Sequence, residues 1–154
     1  MSDSVLDLSL SHRLRLNTLV RLRWLAVVGQ CITVIVVAYG LAFPLPVLSC
    51  FALIASSAAL NVYLALDYPP SHRLSPSAAF AILTFDALQL AGLLYMTGGL
   101  TNPFALLLTV PVVVSATSLP LMMTAGLGGL VIAMATLLGF FHLPLPWFDG
   151  TDLA

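Results

Sequence analysis

Residues 78–97 read AAFAILTFDALQLAGLLYMT, twenty residues with a single charge, Asp86. At about 1.5 Å per residue, this run measures roughly 30 Å as a helix, the thickness of a bilayer's hydrocarbon core. It shows no alternation of apolar and polar residues, which excludes a transmembrane β-barrel strand. The rest of the chain has the same character. Charged residues make up 7% and apolar residues 60% of the 154, against about 25% charged in an ordinary soluble domain. Mean hydropathy is +1.09, and a soluble core of that composition would have no polar surface to cover it. The expected fold class is therefore all-α, a polytopic transmembrane helical bundle.

Four further runs flank the first. Trp24–Phe43 is closed by Pro44-Leu45-Pro46, which cannot continue a helix. Residues 47–66 lead into the polar loop Asp67–Ser77, residues 103–118 contain Pro111, and residues 121–141 follow Leu119-Pro120. The expected spans are thus 24–43, 47–66, 78–97, 103–118 and 121–141. Before them lies a basic cytoplasmic segment, 1–23, and after them a non-cytoplasmic interfacial tail, 142–154. The first run is too long for a signal-peptide core of about 7–15 residues. Small residues four apart, Ala52/Ser56 and Ala55/Ala59, predict close helix packing within the bundle, and Ala125, Gly129 and Ala133 predict packing or dimerisation. Cys31 and Cys50 lie at different depths in neighbouring spans and read as free thiols.

All five basic residues are arginines. Arg13, Arg15, Arg21 and Arg23 precede the first span and Arg73 sits in the 67–77 loop, so the N-terminus and that loop are expected on the cytoplasmic side. Residues 98–102 then face the far side. The arginines have this topological role, and no nucleic-acid partner is expected.

Two features carry chemistry. Asp86 is the one acid at mid-span, with Gln89 beside it, and an aspartate there must face the bundle, pair or be protonated. One reading has it protonated and bonded to Gln30 or Asn61 for packing; the other makes it a proton or ligand group. The second feature is Gly98-Gly99-Leu100-Thr101-Asn102-Pro103-Phe104. Turn physics explains much of it: a glycine ends one helix, Asn102 caps the next, and Pro103 occupies its first position. Phe104 is left over. It offers a flat apolar surface beside a helix N-terminus with expected free N–H donors, which suits a planar lipid-soluble molecule bearing carbonyls, such as a quinone.

This heptapeptide resembles the GGxxNPF motif of the RegB/PrrB redox-sensing histidine kinases. Leu22-Arg23-Trp24, Gln30 and Phe141-His142-Leu143-Pro144-Leu145 also look like that family, so the resemblance covers about residues 20–145. It implies the quinone-sensing membrane domain of a bacterial two-component sensor kinase in the inner membrane. Gly98, Gly99, Thr101, Asn102, Pro103 and Phe104 would hold ubiquinone or a related quinone. Asn102 and backbone N–H groups would bond a carbonyl, the glycines would permit close approach, and Phe104 would stack on the ring. Asp86 and Gln89 are further candidates. The family also implies a homodimer, a cytoplasmic response regulator as partner, a sixth span, and a kinase module. Nothing here matches that module, since the histidines are His12, His72 and His142; the chain is expected to be an N-terminal piece or a truncated relative, without catalytic residues and without a metal. The rival reading is a small carrier or channel-like subunit with a polar path around Asp86. A membrane anchor for a quinone-linked enzyme ranks last, because no span contains a haem-ligating histidine.

Overall fold

A computed structural model describes residues 16–69 and 74–143. The expected basic anchor at Arg13 and Arg15, the loop arginine Arg73, and the tail beyond Leu143 with Trp147 lie outside the described residues. Within them the chain is helical, with no strand. Helix α1 spans Leu16–Ile35 and runs on as a π-helical turn, Val36–Gly40; α2 is Val47–Asp67 and α3 is Pro76–Met96. A 3-10 turn (Gly99–Thr101) and a 3-10 stretch (Pro103–Leu108) lead into α4, Thr109–Ser118, and α5 is Leu121–Phe140. Four of these segments are long and apolar enough to cross a membrane, and Pro103–Ser118 is a shorter apolar one. The protein is a multi-pass membrane helical bundle.

Helix boundaries follow local chemistry. Ser75 Oγ accepts the Ala78 N–H at 3.2 Å with Pro76 at the first helical position, so α3 starts two residues earlier than its apolar run suggests. α1 starts at Leu16, eight residues ahead of the expected Trp24. The expectation treated Arg23 as a membrane-edge charge, whereas Arg23 is buried, 5% exposed, because partners inside the bundle receive it. At the other end, Leu41 N–H bonds Val36 O at 2.9 Å, and Ala42 takes φ +57° before Pro44 turns the chain.

The short fourth segment gains length from its 3-10 stretch, which rises about 2.0 Å per residue against 1.5 Å in an α-helix. Pro103–Ser118 therefore reaches about 27 Å, more than the roughly 24 Å of an α-helix of the same length. Pro111 sits in the first turn of α4, where a missing N–H does least harm.

α3 is the centre of the bundle. Its residues enter all three apolar clusters: Leu83, Ala87 and Leu94 with Leu127, Val131 and Leu138 of α5; Ala79 and Ile82 with Leu19 and Leu64; and Leu93 with Val27, Cys50 and Ile54. α1 packs on α2, α4 packs on α5, and α2, α4 and α5 each pack on α3. Gly92 lets α2 come close, since a Cβ there would meet Leu53 Cδ1 at 3.0 Å. The small-residue seam predicted on α2 turns out differently. Ala52, Ala55, Ser56 and Ala59 are exposed, because α2 buries the face bearing Cys50, Ile54, Ser57, Asn61 and Leu64. Ala125, Gly129 and Ala133 are likewise exposed, since α5 turns Leu127, Val131, Met134 and Leu138 inward. Cys31 and Cys50 are free thiols.

Candidate ligand groove

Two side-chain pairs tie α1 to α3. Arg23 Nη1 lies 2.9 Å from Asp86 Oδ1, and its Nη2 donates to Ser57 Oγ at 3.2 Å and Ser57 O at 3.4 Å on α2. The guanidinium also sits over the Phe85 ring, 5.6 Å from its centroid. One arginine thus joins three helices. Further along, Gln30 and Gln89 exchange amide hydrogen bonds at 3.3 and 3.1 Å. Asn61 donates to Val20 O at 3.0 Å. Asp86 therefore pairs with Arg23, in place of the expected Gln30 or Asn61. The reason is Coulombic: an ion pair offsets the cost of an aspartate among apolar helices better than an amide does.

Of the residues expected to line a polar path, Asp86 is paired with Arg23, and Gln30 and Gln89 are paired with each other. Those pairs set up a prediction. Gln89→Leu leaves the Gln30 amide without its partner and costs about 1–3 kcal/mol. The double variant Gln30→Leu/Gln89→Leu returns close to the parent stability, as read from reversible unfolding in detergent. Equal losses in the single and double variants would contradict the pairing.

The turn after α3 is built as its residues suggest, with one departure. Gly98 and Gly99 adopt φ +96° and +58°, the left-handed region that a side chain disfavours. Asn102 Oδ1 accepts the Phe104 N–H at 2.9 Å, and Nδ2 donates to Thr97 O at 3.0 Å and Thr97 Oγ1 at 2.9 Å. Ala105 N–H bonds Asn102 O, and Thr101 Oγ donates to Gly98 O at 2.6 Å. At the start of the fourth segment, where free donors were expected, the N–H groups of Phe104 and Ala105 are thus occupied, because a 3-10 start closes its own bonds and Asn102 caps what remains. Nor does Gly99 open the turn to a ligand. A Cβ on it would come within 2.6 Å of His142 Cγ and 2.8 Å of Leu138 O, so the close approach is that of the chain leaving α5. His142 Nδ1 and Leu138 O are 2.9 Å apart, and Leu143 N–H bonds Tyr95 O at 2.8 Å. The segment Phe141–Leu143 is folded back onto the turn.

α1 and α4 make no substantial contact with each other, and between them, floored by α3, lies one groove of about 720 Å³. Its walls bring together Arg23, Asp86, Gln30 and Gln89 at one end and Thr101, Asn102, Pro103 and Phe104 at the other. Gly98 and Gly99 are buried and do not line it. Leu25, Leu107 and Val110 are wall residues that are also exposed on the outside of the bundle, so the groove is reached from the lipid side. Phe104, 43% exposed, presents its ring there. No group of acids, histidines and cysteines with metal-binding geometry occurs among the described residues. Arg23 is the component that sequence reading left out. The available signal was electrostatic: it is the arginine nearest the spans, and Asp86 is the one acid within a span.

Comparison with known proteins fits this architecture. Over 140 residues, 91% of the chain, it is 43% identical to the sensor histidine kinase RegB of Cereibacter sphaeroides. Over this stretch the chain is similar to RegB. A second RegB of the same organism is 44% identical over 77 residues, half of the chain. The chain spans about 30% of the length of the first of these RegB relatives and 17% of the second. No family model and no solved structure matches.

Proposed function

We propose that this chain is the membrane-embedded sensing domain of a RegB-type two-component histidine kinase, and that it senses the redox state of a quinone held in the α1–α3–α4 groove. The observation that carries the reading is the groove itself. It is an apolar, lipid-accessible cleft that reaches from a buried ion pair to an exposed phenylalanine in a chain related to a sensor kinase. The molecule best suited to it is long, mostly apolar, and carries a compact polar ring. Ubiquinone and its relatives have that form, and their oxidised and reduced heads differ in hydrogen-bond polarity.

In this reading the domain sits in the bacterial inner membrane with its N-terminus cytoplasmic and works as a homodimer. It controls a kinase module that signals to a cytoplasmic response regulator. Only a difference in affinity of the quinone for two bundle states can move the kinase equilibrium, by an expected 1–3 kcal/mol or so. The test is equilibrium binding of a long-chain ubiquinone to the purified chain in lipid nanodiscs. The parent is expected to bind, and Phe104→Ala to bind about three- to tenfold more weakly through lost aromatic contact. Absence of binding by the parent would remove the quinone from the proposal.

A further inference from the structure

The turn between α3 and the fourth segment has two sides. Thr101, Asn102, Pro103 and Phe104 line the groove, whereas Gly98 and Gly99 are buried and face away from it. Gly99 lies against the chain that leaves α5, where a Cβ would collide with His142 Cβ and Cγ and with Leu138 O. Leu100 rests on α5 as well, its Cδ1 3.4 Å from the Cβ position of Gly139. Polar contacts fasten the chain leaving α5. Leu143 N–H bonds Tyr95 O at 2.8 Å, and that carbonyl is one of the last four of α3, which lack partners within their own helix. Leu138 O is in the same position at the end of α5. The backbone turns away at Phe141 (φ −131°, ψ 105°), and His142 Nδ1, 2.9 Å from Leu138 O, takes the place of the backbone donor. Since a carbonyl only accepts, Nδ1 carries the proton. Apolar burial adds little to this hold, because the Phe141 and Leu143 side chains are exposed.

We propose that Phe141–Leu143 is a strap that couples the turn to the chain leaving the bundle. This rests on the sensing reading above, and it makes the turn a transmitter as well as a groove wall. Gly99 is held at φ +58° and packed against His142 and the Leu138 carbonyl. Close-packed atoms pass a displacement on instead of absorbing it. A shift of the turn toward α5 therefore pushes the His142 ring off Leu138 O. At the groove side Asn102 Nδ2 ties the turn to Thr97 O and Oγ1 at the end of α3, so the turn is pinned between α3 and the strap. Two hydrogen bonds and one packing contact hold the strap, and it opens at less cost than the helices on either side. The coupling is reciprocal: whatever loosens the turn releases the strap, and release of the strap loosens the turn.

Amide hydrogen exchange of the whole chain in lipid nanodiscs, with no quinone added, tests the strap separately from ligand binding. Leu143 N–H, bonded to Tyr95 O, reports on the strap, and Thr101 N–H, bonded to Gly98 O at 3.2 Å, reports on the turn. Amides in the middle of α3 show that each variant is folded. Asn102→Ala removes the tie to Thr97 without touching the strap, and is expected to speed exchange at Leu143 by about tenfold. His142→Ala takes the ring off Leu138 O, and is expected to speed exchange at Thr101 by a similar factor. The double variant Gln30→Leu/Gln89→Leu changes the groove away from the turn, and should leave both amides within about twofold of the parent. The coupling is refuted if Asn102→Ala leaves Leu143 unchanged or His142→Ala leaves Thr101 unchanged. It is refuted equally if the glutamine variant speeds both amides as much, since the whole bundle would then be loosening. None of these results bears on quinone binding, which is measured separately, so the two failures are told apart.

Discussion

Arg23→Leu is expected to lower the stability of the bundle by about 3–5 kcal/mol, the usual cost of stranding one partner of a buried ion pair. Asp86 would lose the guanidinium at 2.9 Å that offsets its cost among apolar helices, and Ser57 would lose a donor to both its hydroxyl and its carbonyl. The packing of the guanidinium on Phe85 would go as well. The double variant Arg23→Leu/Asp86→Leu should recover most of the loss, because two leucines bury without desolvating any charge. Reversible unfolding in mixed detergent micelles reads both. A non-additive recovery is the signature of a direct pair. If the two single losses simply add in the double variant, Arg23 and Asp86 are not coupled, and the description of α1 as held to α3 by charge is incorrect.

Gly99→Ala is expected to cost about 2–4 kcal/mol, from a left-handed backbone angle that a Cβ penalises and from overpacking. The overpacking is specific. The new methyl group would fall within 2.6 Å of His142 Cγ and 2.8 Å of Leu138 O. The first contact can be relieved, so Gly99→Ala/His142→Ala should regain part of the stability. His142 Cβ, which alanine keeps, and the backbone Leu138 O both lie at 2.8 Å and should hold the remainder. Gly129→Ala is the control: a Cβ there meets nothing within 4 Å, and its change should stay within about 0.5 kcal/mol. Similar losses at Gly99 and Gly129 would mean that the turn and the chain leaving α5 do not touch.

The helices were legible from hydropathy because a span must be both apolar and long, and the 78–97 run satisfies both conditions. The turn was legible because Gly98, Gly99, Asn102 and Pro103 each do there what their backbone chemistry favours. What failed was the orientation of helix faces. Ala52 and Ser56 have the spacing of a packing seam, yet in lipid an apolar helix has no polar face to mark its outside. The spacing survives while the direction is lost. Arg23 was misplaced for a related reason. Counting arginines assigns them to the membrane edge, and the count is blind to one that finds an aspartate. The free N–H groups expected at the start of the fourth segment were lost to a 3-10 start, which depends on geometry that no residue type announces.

The separation of α1 from α4 has a consequence for energetics in the bilayer. A cleft open to the hydrocarbon is solvated by acyl chains, so any incoming molecule exchanges places with a lipid tail. That exchange swaps one apolar contact for another, and the hydrophobic effect contributes almost nothing to it. Discrimination then falls to whatever a lipid tail cannot do. Of the residues along the groove, Phe104 can prefer a shape, whereas a chemistry can be preferred by its polar side chains, among them Arg23, Asp86, Gln30, Gln89 and Asn102. Selectivity in such a site is set by the few polar atoms that lipid leaves unsatisfied, and the apolar walls serve mainly to keep water from satisfying them first.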